Sequence, residues 1–266
     1  MNVTETNNYL KEKGINPSKK MGQNFLINEQ IAEQIANFAA EKDYDQVVEI
    51  GPGLGAITEF LTRLNKPLTA IELDKRFSEF IKNKYPTVTV INNDVLNENF
   101  DEITEKYNNP ILISNLPYSI SSLVLGMFLE SNHVNNFICM LQKEMVERIT
   151  AKPNTKQYNS FTAAVSYYCN IKKLLSVSKN NFSPAPDVES EVIRLVKNGK
   201  PFDKKFNKFL KVSFAAKRKT IVNNLQLFYQ KDKILEALKK IKIDDKARAE
   251  SLDIEKLHTL FTILDN

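Results

Sequence analysis

At 266 residues, 42% hydrophobic and 26% charged, the chain has room for one large domain and a small companion, with the composition of an ordinary globular protein. No apolar run approaches the ~20 residues needed to span a bilayer, and two distant cysteines with only His133 and His258 beside them argue against a disulfide scaffold or a zinc site. The net charge of +5 is unevenly placed: from Lys200 onward 16 Lys and Arg stand against 9 Asp and Glu, before it 21 against 23.

A basic segment on a near-neutral body points to a polyanion partner read mainly by that segment, or to a solvated helical face. The polar start, MNVTETNNYLKEKG, has no apolar signal core. Cys139 and Cys169 sit among apolar or aromatic residues, as buried reduced thiols do. The expectation is a soluble, cytoplasmic protein with no metal site.

In chain order, QVVEI at 46–50 reads as a short strand that breaks into GPGLGA and then a helical pattern, ITEFLTRL. A strand follows at 68–73, a helix from Asp74 to Lys84, a strand at 88–94 and a polar helical stretch. Further strands are predicted at 111–114 and 137–142. Strands alternating with helices imply βαβ units and a mostly parallel α/β sheet covered on both faces. LLSV at 174–177 and EVIRLV at 191–196 have no full helix between them, which suggests an antiparallel addition at one edge. Beyond NGKP at 198–201 the pattern is helical, with Ile234, Leu238 and Ile241 at helical spacing. The expected domains are therefore 1–199, with residues 1–18 as a mobile tail, and a basic helical domain over 200–266.

Ligands of open α/β sheets bind at the carboxyl ends of the strands. There the chain places Glu49, the glycine-rich turn with Gly51 and Gly53, then Glu72 and Asp94. Glycines permit a tight turn and a close backbone approach, Glu72 can accept from ribose hydroxyls, and Asp94 can accept from an exocyclic adenine amine. Each acid alone is also an ordinary loop residue; together after such a turn they point to a nucleoside. The spacing is G-x-G-x-G rather than G-x-G-x-x-G, and Glu49 precedes it. A carboxylate there would repel a pyrophosphate but suits the cationic methionine end of S-adenosylmethionine, so that cofactor is favoured over NAD.

The next strand ends in Asn115, Leu116, Pro117 and Tyr118. Pro117 restricts Leu116 to extended geometry, so that the Asn115 side-chain oxygen and the Leu116 carbonyl can converge as two acceptors on one amine. An exocyclic base nitrogen held in this way becomes tetrahedral and frees its lone pair for attack on a sulfonium methyl. Tyr118 offers a face to a base taken out of its stack. The other reading is a proline-terminated strand with a core tyrosine.

With these residues the chain resembles the rRNA adenine N6,N6-dimethyltransferase family. The resemblance rests on KKMGQNFL at 19–26, VVEIGPGLGAITEFL at 47–61, AIELD at 70–74, NLPYSIS at 115–121, MLQKEMVERI at 140–149, YNSFTAAVSYYCN at 158–170, NFSPAPDVESEVIRL at 181–195 and KRKTIVNNL at 217–225. It is most similar to the bacterial small-subunit branch, which dimethylates two adjacent adenosines in the 3′-terminal hairpin of 16S rRNA during ribosome biogenesis. It implies a Rossmann-like methyltransferase sheet, S-adenosylmethionine as cofactor, the small ribosomal subunit or its precursor as partner, and a monomeric enzyme. It further implies cofactor contacts from Asn24, Leu26, Gly51, Gly53, Glu72, Asp94 and Asn115, and catalysis by Asn115, Leu116 and Tyr118. Phe182 would be an aromatic on the opposite face of the target adenine, although an apolar staple under the SPAP loop explains it as well. Lys217, Arg218 and Lys219 would begin the basic helical segment and bind phosphates. The rivals are a resistance-type methyltransferase acting on large-subunit rRNA, a non-catalytic ribosome-assembly factor on the same fold, and a small-molecule methyltransferase, which would not need the basic segment.

Overall fold

The computed structural model describes residues 3–14 and 24–265. The chain forms two compact units, Met1–Lys143 with Ile171–Lys197, and Glu144–Asn170 with Asn198–Asn266.

The first unit opens with helix α1 (Val3–Glu12), strand β1 (Phe25–Leu26) and helix α2 (Glu29–Ala40), the last capped by the Asn28 side chain on the Ile31 N–H. Next come β2 (Gln46–Ile50), α3 (Thr58–Leu61), β3 (Leu68–Ile71), α4 (Lys75–Lys84), β4 (Thr89–Ile91) and α5 (Phe100–Thr104). They are followed by β5 (Pro110–Asn115), α6 (Ser121–Glu130) and β6 (Asn136–Gln142). After α7 (Lys143–Ile149) and α8 (Ser160–Tyr168), strands β7 (Cys169–Val177), β8 (Phe182–Ser183) and β9 (Ser190–Lys197) complete the sheets. The main sheet has the order β4-β3-β2-β5-β6-β9-β7. Strands β2 to β6 pair in parallel and β9 runs antiparallel to β6, the edge addition expected from the sequence.

Every residue of β2 is buried, as is expected of a central strand covered on both faces. One of them is a carboxylic acid, Glu49, and such a residue in a central strand calls for a reason beyond packing. Helix α1 occupies part of the stretch expected to be a tail. Leu10 packs in a cluster with Phe25, Leu54 and Phe77, and the Tyr9 ring meets Phe80 edge-on at 4.7 Å. Its apolar residues are too few for a helical period to stand out in the sequence, so the tertiary contacts decide its structure.

The second unit is helical: α7 from Glu144, then α8, α9 (Lys204–Ser213), α10 (Ile221–Leu225), α11 (Lys231–Lys240) and α12 (Ile254–Asp265). Its core is aromatic. Tyr167 of α8 stacks on His258 of α12 at 4.8 Å and meets Phe206 of α9 edge-on at 4.8 Å, and Phe206 lies 5.2 Å from Phe261. Residues 144–170, which the sequence places with the first domain, therefore fold with helices that follow 40 to 90 positions later. His258 is a ring in this stack, and both cysteines are buried free thiols. Among the described residues no helix is long and apolar enough to cross a membrane.

Candidate active site

Strand register assembles the site. Ile50 pairs with Ile71 and with Ser114, and Ile71 pairs with Ile91. The residues one step beyond, Gly51, Glu72, Asn92 and Asn115, therefore form a row along the carboxyl edge of four parallel strands. The chain must then leave the sheet at once. Gly51 and Gly53 do so with φ of 68° and 54°, the left-handed region that side chains avoid, and a Cβ on Gly53 would also stand 3.3 Å from the Phe25 ring. The turn delivers the Gly53 N–H to the Glu72 carboxylate, Oε2 accepting at 2.9 Å, while Glu72 Oε1 accepts from the Asp74 N–H at 2.9 Å. Glu72 is thus fixed by backbone at both oxygens, with further lone pairs free for a ligand.

Beneath this row lies a cavity of about 520 Å³, lined by Glu49, Gly51, Glu72, Asp94 and Asn115 together with apolar walls from Ile50, Ile71, Leu73 and Val95. That size and lining suit a small organic molecule with a few fixed polar anchors. Glu49 is almost completely buried and accepts from the Thr58 hydroxyl at 2.6 Å. Burial raises its carboxyl to about 7, helped by the charge of Glu72 and opposed by the Thr58 hydrogen bond. Burial likewise raises Glu72, against the hydrogen bonds from Asp74 and Gly53. Two buried acids in one cavity wall repel each other, and a cationic ligand would relieve both.

Asn115 is the last residue of β5. Its Nδ2 donates to the Asn24 carbonyl at 3.3 Å. A carbonyl can only accept, so this contact fixes the amide orientation and leaves Oδ1 as the free acceptor of a cavity-lining side chain. The Leu116 N–H donates to the Met140 carbonyl at 3.2 Å, which ties the following peptide to β6. Tyr118, half-buried, lines the same cavity. Its hydroxyl stands near the side chains of Gln142 and Ser190, a directly paired couple across β6 and β9. Burial pushes that hydroxyl above its ordinary value, while neighbouring Ser190 and Gln142 pull it back and Asp187 pushes it further up.

The sequence profile of the family described as ribosomal RNA adenine dimethylase matches residues 14–266. The chain belongs to this family. The ribosomal RNA small subunit methyltransferase A of Malacoplasma penetrans is 44% identical over 251 residues, 93% of this chain and 92% of the relative. The protein of the same name from Bacillus cytotoxicus is 37% identical over 279 residues, covering 98% and 94%. Among solved structures, a dimethyladenosine transferase from Plasmodium falciparum superposes with a TM-score of 0.76 at 26% identity, covering 89% of this chain and 95% of the other. The 23S rRNA methyltransferase ErmE has the same fold, with a TM-score of 0.69 at 22% identity over 91% and 100% of the two chains.

The cofactor of this family, S-adenosylmethionine, fits the residues present. Glu72 has carboxylate lone pairs free for ribose hydroxyls, Leu73 and Val95 are apolar walls for an adenine, and Glu49 and Glu72 suit a cation. The structure brings Asn24, Leu26, Gly51, Gly53, Glu72, Asp94, Asn115, Leu116 and Tyr118 to this one cavity.

Three expectations meet a different geometry. Asp94 lies three residues past the end of β4 and caps a short 3-10 turn, Oδ1 accepting from the Leu96 N–H at 3.0 Å, so Oδ2 is left for a ligand. Phe182 is 4% exposed and absent from the cavity wall. It pairs with Leu26 between β1 and β8 and packs among Val177 and Val192, the surroundings of an apolar staple. Lys217, Arg218 and Lys219 are exposed but occupy a turn before Thr220, the N-cap of α10, rather than a helix, and Lys217 Nζ donates to the Lys156 carbonyl at 2.6 Å. Of the block at 19–26, residues 19–23 lie outside the described residues.

Sequence reasoning missed Thr6 of α1, buried and facing the cavity, and the Gln142–Ser190 pair near the Tyr118 hydroxyl. The second was visible only as two polar residues at the ends of apolar strands, MLQ and VES.

Proposed function

We propose that this chain dimethylates N6 of two adjacent adenosines in the 3′-terminal hairpin of small-subunit rRNA, in the cytoplasm, as a monomer acting on the small subunit or its precursor. The observation that carries the chemistry is the fixed Asn115 amide. Bound S-adenosylmethionine supplies an electrophilic methyl on a sulfonium. The chain's own residues position the nucleophile: Asn115 Oδ1 and the Leu116 carbonyl accept the two hydrogens of the adenine amine, which directs the nitrogen lone pair away from them. No side chain need remove a proton before transfer, because the amine becomes acidic once methylated. The half-buried Tyr118 ring gives the unstacked adenine a flat apolar support. Glu49 and Glu72 favour the cationic cofactor over its neutral product at the sulfur.

The choice of small-subunit rRNA is supported by relatives at 37–44% identity over most of their length, whereas the large-subunit enzyme shares the fold alone. Small subunits from a strain lacking the modification, incubated with the protein and cofactor, should gain dimethyladenosine at two adjacent positions of that hairpin. Modification of large-subunit rRNA instead would overturn the proposal. Asn115→Ala should lower transfer by ~10²–10³-fold at saturating cofactor, with RNA affinity retained.

A further inference from the structure

The helical unit carries an unusual surface feature in the turn between α10 and α11. Leu227 is 74% exposed and the next residue, Phe228, 55%, side by side on a unit whose other large apolar residues are buried or half-buried. The turn is well defined, with the Phe228 and Tyr229 N–H groups both donating to the Leu225 carbonyl at 2.9 and 3.0 Å. The neighbouring Tyr229 ring points the other way, into the core against Phe209. Phe228 is therefore held outward by a built turn.

Its surroundings are cationic. The Lys208 ammonium lies 5.1 Å from the centre of the Phe228 ring. Lys208 belongs to α9, where Lys204, Lys208 and Lys211 recur at spacings of four and three and so share one stripe. All three are exposed, and none has an ion-pair partner among the described residues. Their neighbour Lys205, by contrast, is paired with Asp265. Unpaired lysines leading to an outward aromatic ring are the combination that tracks a phosphate backbone and stacks one of its bases.

We propose that Phe228, backed by Leu227 and flanked by the Lys204–Lys208–Lys211 stripe, is a stacking platform for an unpaired RNA base. This rests on the rRNA reading above and extends it, because it assigns a base-reading contact to the helical unit in addition to phosphate contacts. The occupant is single-stranded RNA rather than an acidic protein segment. A lysine already over the ring gives a mixed apolar and cationic surface, which matches a base with its adjoining phosphate.

The chain contains no tryptophan, so Phe228→Trp places a lone reporter at the site. Titration with a decaadenylate RNA should quench its fluorescence saturably, and added salt should reverse the quenching. Phe228→Ala should weaken decaadenylate binding about 5- to 150-fold, while binding of a long RNA duplex, whose bases are stacked everywhere but at its two ends, stays at the wild-type level. Phe228→Leu should bind the single strand as poorly as Phe228→Ala, since it keeps apolar area without a π-face. Wild-type affinity in Phe228→Leu would mark a merely apolar contact of the protein-binding kind and overturn the proposal. So would an unquenched tryptophan, or equal losses on duplex and single strand. Methylation of small subunits by the wild-type protein is the separate control: its failure would overturn the functional reading, and its success beside an unquenched tryptophan would overturn the stacking platform alone.

Discussion

The strand-end row of the first unit and the lysine-rich surface of the second use polar groups in opposite ways. In the row, Glu72 has both oxygens held by backbone N–H groups and Asn115 is fixed by the Asn24 carbonyl, while Glu49, two residues before Gly51 in β2, is almost sealed from water. On the helical unit, Lys204, Lys208 and Lys211 are exposed and have no ion-pair partner among the described residues. Buried, pre-oriented groups act in a low dielectric, and few of them are needed. Exposed charges are screened and individually weak, so they act by number and mainly set affinity for a polyanion. A substitution in the row should therefore give a large, salt-insensitive effect on one step, and one on the basic surface a small effect that grows as salt is removed.

The largest expected effect concerns two aromatics that sequence placed together and whose burial differs. Phe182→Ala removes a core ring and should cost about 3–5 kcal/mol of stability, read as a lowered denaturant midpoint. Tyr118→Ala should leave the midpoint nearly unchanged and lower transfer, because its ring is half-buried in a cavity wall. If Phe182→Ala kept full stability but lost activity, the ring would be a partner of the base after all. Next in size, Glu72→Ala should weaken cofactor binding by about 2–4 kcal/mol by calorimetry. It should also lower stability by about 1–2 kcal/mol, because the Gly53 and Asp74 N–H groups lose their acceptor. Unchanged cofactor affinity in the folded variant would remove Glu72 from the ligand.

How much of this was legible follows from the range of the interactions. The parallel sheet, its antiparallel edge and the row of strand-end residues were readable, because short continuous apolar runs and glycine turns are local signals. The place of residues 144–170 was not, since Tyr167 finds its partners at Phe206 and His258. Nor was the burial of Phe182, which depends on β1 pairing across more than 150 residues. The acidity of Glu49 is intermediate. The sequence shows an acid before the glycine turn, but only its burial and the nearby Glu72 raise it to about 7. For an acid raised in the folded state, the stability contributed by the protonated form is present below about 4.5 and lost as pH rises through about 7. Glu49→Gln should abolish that loss in thermal melts of the cofactor-free protein. Because a cationic ligand favours the ionised acid, cofactor affinity of the wild type should rise between pH 6 and 8 by up to about tenfold, and that of Glu49→Gln should stay flat. A wild-type affinity independent of pH would place the cation away from Glu49.

The smallest effect tests the other side of the comparison. Lys217, Arg218 and Lys219 are exposed in a turn, and Lys217 already donates to the Lys156 carbonyl, so their side chains are partly oriented without being desolvated. Each phosphate contact they make should add about 0.9 to the slope of log affinity against log salt on duplex RNA. Replacing all three by Ala should therefore flatten that slope by up to ~2.7, weaken binding at low salt far more than at high salt, and leave cofactor affinity unchanged. The Lys217 contact argues for a smaller change, because an ammonium that keeps a backbone partner when free has one donor fewer to offer a phosphate. A slope equal to wild type would take this turn out of the RNA interface and leave the polyanion to other basic residues such as the α9 stripe. A loss of affinity equal at all salt concentrations would instead mean that the three residues read the RNA through fixed hydrogen bonds, as the buried row is expected to read its ligand.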